Sequence, residues 1–258
     1  MLLLKYILTN EKFGVYYNDL TLVKWSVREN ILGVNQMHDF KYVTRNEAKP
    51  IKEELYQILY EVQDLVRNQF TFKFTTVGSS SRNMITYDTK SNIGFDFDIN
   101  IEVNDDEENF EPKEIREKIR NAINRVAPRY GYKPCEDSTR VLTIKKVTAL
   151  FSRIIHSCDF AIVYNCKDCR QQYIRFNKDN GYYSWEYQGK GFVGLEKKID
   201  WLKKENLWGE LLNYYLIKKN TNDNPDKHSR SLFAESINEM CQKNGYRKEQ
   251  SRKPLTNL

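Results

Sequence analysis

Two runs of alternating residues, separated by a serine-rich turn, set the terms on which this chain can fold. Residues 70–103 read FTFKFTTVGSSSRNMITYDTKSNIGFDFDINIEV. Phe70, Phe72 and Phe74 share one face of the first run, with Thr71, Lys73 and Thr75 on the other. After the turn, Asp96, Asp98, Asn100 and Glu102 alternate with Phe97, Ile99, Ile101 and Val103. A period of two marks a strand with one buried face. The acidic face must then point outward or into a cleft. Asp96 and Asp98 stand about 6.5 Å apart, at about 3.3 Å per residue. Carboxylates at that spacing repel each other unless a cation lies between them. Hard oxygen donors suit Mg²⁺, which completes its shell with water and substrate phosphates. The turn Gly78-Ser79-Ser80-Ser81 just upstream offers backbone N–H groups and hydroxyls to an anion. An anion cradle beside a two-carboxylate cation site is equipment for phosphoryl or nucleotidyl transfer. The plainer alternative is an exposed amphipathic strand after a serine-rich turn, and structural context decides between the two.

The run Gly78-Ser79-Ser80-Ser81-Arg82-Asn83-Met84 followed by Asp96-Phe97-Asp98 resembles the DNA polymerase β-like nucleotidyltransferase superfamily. The pattern there is G-S-x-x-[R/K]-[G/N]-T, then D-x-D on the next strand, then one more Asp on a later strand. Gly78, Ser79, Arg82 and Asn83 fit, while Met84 stands where Thr is usual. The separation from Ser79 to Asp96 is also several residues longer than usual. The extra segment, Tyr87 to Gly94, is polar and ends in Gly, so it reads as an inserted loop.

The resemblance places the third carboxylate at Asp159. That residue lies in the next clear strand, Ile155 to Tyr164, where it shares a face with Ala161 and Val163. One Asp is no motif by itself, and an edge-strand Asp facing water is the other reading. With the triad assembled, two-metal logic gives Asp96 and Asp98 two Mg²⁺ ions, for which Mn²⁺ can substitute. One ion anchors a nucleoside triphosphate. The other, shared with Asp159, lowers the pKa of an attacking hydroxyl. Gly78, Ser79 and Ser80, with the N–H groups around them, would hold the phosphates. Arg82 either adds positive charge there or is a surface arginine.

Composition bounds the rest. At 258 residues, 40% hydrophobic and 29% charged, the chain can build one large domain or two small ones. Its net charge of +6 is compatible with polyanionic ligands without demonstrating them. No apolar run reaches the length of a membrane span, so no membrane partner is expected. The opening MLLLKYIL is too short for a secretory signal. Five cysteines, an odd number, then point to reduced thiols in a cytoplasm.

Four of the soft ligands cluster in sequence. His156 and Cys158 precede Cys166-x-x-Cys169, whose spacing suits a zinc knuckle. Against a zinc site, His156 and Cys158 fall on a core-facing strand side, where free thiols are common. Residues 172–193 read as a hairpin with its turn at Asn177 to Gly181. Tyr182, Tyr183 or Trp185 would there stack on a base, or pack on the sheet. The acidic block Asn104 to Glu111 is a possible metal site, though such blocks ordinarily form hydrated turns.

Helical periodicity appears over residues 51–66 behind Pro50, over Pro112 to Ala127, and in three segments after Gly194. The expected fold is α/β, with a mixed-sheet nucleotidyltransferase palm over 48–193 and a helical C-terminal domain over 194–258. Residues 1–47, with Tyr16, Tyr17 and Trp25 among them, would wrap the core. The resemblance is nearest to the branch of oligoadenylate and cyclic GMP-AMP synthases. It implies template-independent joining of nucleoside or deoxynucleoside triphosphates, ATP among them, into a short or cyclic signal. A role in antiviral defence and a downstream effector or regulatory partner follow from the same branch. Two alternatives stand beside it: a modifier of a tRNA 3′ end or a protein, and a catalytically silent interaction protein.

Overall fold

The acidic strand lies inside a mixed sheet, second from one edge. The computed structural model describes residues 38–91, 94–105, 109–148, 153–189 and 194–246. These residues belong to one compact unit. The readings made for Tyr16, Tyr17 and Trp25 lie outside the described residues. In chain order the strands are β1 (Phe40–Tyr42), β2 (Thr71–Val77), β3 (Thr86–Asp88), β4 (Phe95–Asn104), β5 (Glu136–Asp137), β6 (Leu142–Val147), β7 (Ile154–Asn165), β8 (Gln171–Asn177) and β9 (Tyr182–Tyr187). The helices are α1 (Arg45–Val66), α2 (Gly78–Ser81), α3 (Pro112–Val126), α4 (Leu195–Lys204), α5 (Trp208–Thr221) and α6 (Ser229–Lys243).

β4 pairs antiparallel with β2 and parallel with β7. The far side of β7 is divided: β6 takes its first half and β8 its last three residues. The alternation in β4 holds, since Phe97, Ile99, Ile101 and Val103 are all buried while Asp96, Asp98, Asn100 and Glu102 face away. Two helices cover the apolar face. Helix α1 contributes Leu55, Ile58, Leu59, Val62 and Val66, and α3 contributes Ile115, Ile119, Ala122, Ile123 and Val126. These are i, i+3, i+4, i+7 stripes that bury only in one orientation. The opposite face carries the carboxylates.

Helix α1 starts earlier than Pro50 suggests. Thr44 and Glu47 form a capping box, in which Glu47 N–H donates to Thr44 Oγ1 (3.3 Å) and Thr44 N–H donates to Glu47 Oε2 (2.8 Å). Pro50 therefore sits in the second turn, where its missing N–H removes a single helical hydrogen bond.

The segment read as an inserted loop supplies a strand instead. Thr86–Asp88 pairs antiparallel with Phe40–Tyr42 as a separate ribbon. Asp88, fully buried, ties it together by accepting from Asp39 N–H (2.9 Å), Lys90 N–H (3.0 Å) and His38 Nδ1 (2.8 Å). Burial alone would raise this carboxyl, but those donors hold it down at about 2. Residues 40–47, read as part of a wrapping segment, thus give a strand and the first turn of α1.

The three C-terminal helices have a small core of their own, built on Ile199, Leu202, Leu211, Ile237, Met240 and Cys241. They attach to the ribbon. Phe40 N–H donates to Asn220 Oδ1 (2.6 Å), Asn220 Nδ2 donates back to Phe40 O (3.2 Å), and Tyr42 Oη donates to Leu212 O (2.8 Å). Met84 fills the joint with Tyr215 and Leu232.

Candidate active site

The site is built where β2 ends and β4 passes it. Val77 is the register partner of Asp98, so the chain turns out of the sheet beside that carboxylate. The turn needs a left-handed residue with no side chain. Gly78 has φ +65°, and a Cβ on it would lie 2.3 Å from Asp98 Oδ2. The serines that follow are not equivalent. Ser80 is buried and its Oγ donates to Val77 O (2.7 Å). Ser81 Oγ donates to Gly78 O (2.9 Å). These two hydroxyls hold the turn, and the Ser80 side chain is committed to the Val77 carbonyl. Ser79 is half-buried, and its carbonyl accepts from Arg82 N–H (3.2 Å) and Met84 N–H (2.9 Å).

The departure from the usual Thr at Met84 now has a reason, because that side chain packs into the joint with the C-terminal helices rather than into the site. Arg82 likewise reaches toward those helices. It donates to Gly78 O (3.2 Å), pairs with Glu196 (2.9 Å) and lies over the Phe233 ring.

The parallel pairing of β4 and β7 puts Asp98 directly beside Asp159, and Asp96 beside Ser157. Oxygens of Asp96, Asp98 and Asp159 all come within 4.8 Å of one another, making the only cluster of three or more potential metal ligands among the described residues. The edge-strand reading of Asp159 is thereby set aside, since β7 is flanked on both sides. Protein crowding around the Asp96 carboxylate, although its surface still meets solvent, and the charges of Asp159 and Asp98 raise it to about 7. Burial, then the charge of Asp159, raises Asp98 to about 6. Burial also raises Asp159, against the hydrogen bond from Thr143. Three adjacent carboxylates whose charged forms are disfavoured by burial and, at Asp96 and Asp98, by neighbouring carboxylate charge are a donor set fitted to a hard divalent cation.

The other predicted residues do not join this cluster. Tyr183 has the same strand parity as Phe176 and Ile174, on the helix-covered face. Its ring stacks on Phe176 (centroids 4.5 Å apart) and its Oη donates to Asp137 Oδ2 (3.2 Å), so it packs on the sheet and faces away from the carboxylates. Trp185 shares that face, while Tyr182 is exposed. Behind Tyr183, the fully buried Arg116 spends its guanidinium on Asp137, Ile174 O and Ser138 O.

The zinc quartet does not form. His156 and Cys158 are buried on the core face of β7, and His156 Nε2 is 2.9 Å from Tyr132 Oη. Cys166 and Cys169 lie in the turn after β7, about 26 Å along the strand from Cys158 at about 3.3 Å per residue. In the acidic block, Asp105 accepts from Asn109 and Phe110 N–H groups, which makes a turn; residues 106–108 lie outside the described residues.

Two residues at the site escaped the sequence reading. Ser157 Oγ donates to Asp96 Oδ1 (2.8 Å), and Thr143 Oγ1 donates to Asp159 Oδ1 (2.5 Å). Ser157 shares the parity of Asp159 two residues on, which was a usable signal. Thr143 depends on strand pairing that the sequence does not display.

No protein-family model matches this sequence, and neither does any curated protein. Solved structures do match in fold. The Vibrio cholerae DncV cyclic AMP-GMP synthase, in complex with the linear intermediate 5′ pppA(3′,5′)pG, superposes with a TM-score of 0.56 at 13% identity, over 76% of this chain and 67% of that one. A second structure of the same synthase, described as a prokaryotic cGAS homolog, gives 0.55 at 13% identity over the same shares. CdnG of Bradyrhizobium diazoefficiens, a CD-NTase in complex with GTP, gives 0.40 at 11% identity over 67% and 42%. The chain therefore has the mixed α/β nucleotidyltransferase fold of the Vibrio protein.

Proposed function

We propose that this chain is a metal-dependent, template-independent nucleotidyltransferase that joins nucleoside triphosphates into a short oligonucleotide or cyclic nucleotide. The observation that carries the reading is the close approach of Gly78 to Asp98, which sets the Gly-Ser turn against three clustered carboxylates. Asp96, Asp98 and Asp159 would hold the divalent cations. Bound Mg²⁺, or Mn²⁺ in its place, would supply positive charge to the triphosphate and acidify the attacking hydroxyl. The chain's own part is positional. The β4–β7 register fixes the carboxylates, and the turn would offer Ser79 and first-turn N–H groups to the phosphates. The reaction would displace pyrophosphate from a nucleoside triphosphate as a hydroxyl oxygen bonds to the α-phosphorus. The fold shared with a cyclic AMP-GMP synthase supports a cyclic or short product over a templated polymer. A signalling role in antiviral defence, in the cytoplasm, is the biological setting we infer. No helix among the described residues is long and apolar enough to cross a membrane, and the five cysteines are free thiols.

The test uses the full chain with each labelled NTP and dNTP in Mg²⁺ or Mn²⁺, products being separated by length and by resistance to phosphatase. A product made without acceptor, and absent for Asp98→Asn, is expected. Product that forms only on added tRNA or protein would turn the reading to a modifying enzyme. No turnover in any mixture, with no triphosphate binding, would leave the fold as an interaction module.

A further inference from the structure

The two outer carboxylates of the triad each have a hydroxyl neighbour in strict register. Ser157 stands beside Asp96 across the parallel β4–β7 pair, and Thr143 stands opposite Asp159 across the antiparallel β6–β7 pair. Both hydroxyls are used: Ser157 Oγ reaches Asp96 Oδ1 at 2.8 Å, and Thr143 Oγ1 reaches Asp159 Oδ1 at 2.5 Å. Asp98, between them, receives no side-chain hydrogen bond from the described residues.

Cross-strand neighbours on one face have Cβ atoms about 5 Å apart. A Ser or Thr hydroxyl spans that gap to a carboxylate and cannot reach past it. The terminal torsion of Asp is broad and roughly two-fold, so an Asp on a strand does not by itself fix its carboxylate plane. A donor to one oxygen does fix it, and leaves the rest of the group to an incoming cation. Packing does not account for Thr143. Its strand neighbours Leu142 and Ile144 are fully buried on the helix side, whereas Thr143 is half-buried on the carboxylate side. Lys145, next on that face, gives its ammonium to Glu136 (2.7 Å), so Thr143 is the β6 side chain bonded to the triad.

We propose that Thr143 and Ser157 are positioning residues, which hold the planes of Asp159 and Asp96 for divalent cation binding. The inference rests on the reading of the triad as a cation site. It gives β6, a strand without a ligand of its own, a part in the site. Groups that orient metal ligands in this way typically change metal affinity or activity by about 10- to 100-fold when removed.

The experiment measures Mn²⁺ binding to the full chain by calorimetry, with thermal unfolding of the metal-free protein and turnover alongside. The variants are Thr143→Val, Thr143→Ser, Ser157→Ala and Asp98→Asn. Thr143→Val keeps the shape and loses the donor, so Mn²⁺ affinity should fall about tenfold or more, while Thr143→Ser stays within about threefold of the parent. Ser157→Ala should lose affinity as Thr143→Val does. Turnover number should fall with little change in KM for the triphosphate, and metal-free melting should fall only slightly, since each of these two variants loses one hydrogen bond to a carboxylate and keeps its strand packing. Equal losses for Thr143→Val and Thr143→Ser, or parent-like affinity in both Val and Ala variants, would overturn the proposal. A parent chain that binds Mn²⁺ no better than Asp98→Asn would instead remove the cation site itself, and this inference with it.

Discussion

At the scale of single residues, Gly78 bears the tightest constraint. A methyl group there meets Asp98 Oδ2 at 2.3 Å and is strained at φ +65° besides. Gly78→Ala should cost about 1–2 kcal/mol of stability from the left-handed backbone. A displaced catalytic group commonly costs about 100-fold in rate, so turnover should fall by at least that much. Melting and turnover measured on one preparation separate the two effects. A variant with parent-like turnover would contradict the contact. Titration gives a second expectation. Asp96 and Asp98, at about 7 and about 6, hold protons that a cation must expel. Mn²⁺ affinity should weaken by about tenfold or more between pH 8 and pH 5.5, whereas a pH-independent affinity would mean the carboxylates are already ionised. His156 works in the other sense. Burial, with the charge of Lys146, lowers it to about 4 against 6.5 when unfolded. Its folded form binds fewer protons, so its contribution is whole above pH 6.5 and is lost as pH falls toward 4. That contribution is on the order of 3 kcal/mol, and the difference in unfolding free energy between parent and His156→Gln should shrink across that window.

At the scale of elements, the strands and helices were legible wherever one face is buried. One of the three helical segments read after Gly194 runs from Ser229 to Lys243, and the hairpin turn at Asn177 to Gly181 joins β8 to β9. What stayed hidden was pairing between distant segments. The polarity of Tyr87 to Gly94 reads as a loop because Asp88 is a poor strand former alone; it becomes acceptable only once His38 and two N–H groups satisfy it. For Tyr183, stacking on a base and packing on the sheet both stayed open, because aromatics on a hairpin carry no label for the covered face. The site itself was half legible. Asp96, Asp98 and the Gly78 turn lie in adjacent runs, Asp159 needed a resemblance, and Thr143 needed β6 placed beside β7. The ribbon of β1 and β3 makes the element-scale prediction. Asn220 exchanges two hydrogen bonds with the Phe40 backbone. Asn220→Ala should destabilise by about 1–3 kcal/mol. Amide exchange should accelerate at Phe40 and along α5, while the β4 amides keep their protection. Uniform acceleration through the sheet would show that the ribbon is not a separate bracket.

At the scale of the whole molecule, one layer does two jobs. The apolar face of the sheet, under α1 and α3, supplies the core, and the other face is free to carry charge. Burial on one side makes the strand register rigid, since a one-residue slip would turn every carboxylate into the core. The C-terminal helices grip the ribbon and the residues just after the turn, through Asn220, Met84, Arg82 and Glu196. The carboxylates and the turn therefore lie beside the joint with the C-terminal helices. The central claim is that the triad and the turn form one site for a divalent cation and a triphosphate. It is tested most directly by anomalous scattering from crystals of the full chain grown with Mn²⁺ and a non-hydrolysable nucleoside triphosphate. Mn²⁺ is expected on Asp96, Asp98 and Asp159, with the triphosphate against Gly78 and Ser79. Mn²⁺ bound elsewhere, or a triphosphate that settles away from that turn, would contradict it.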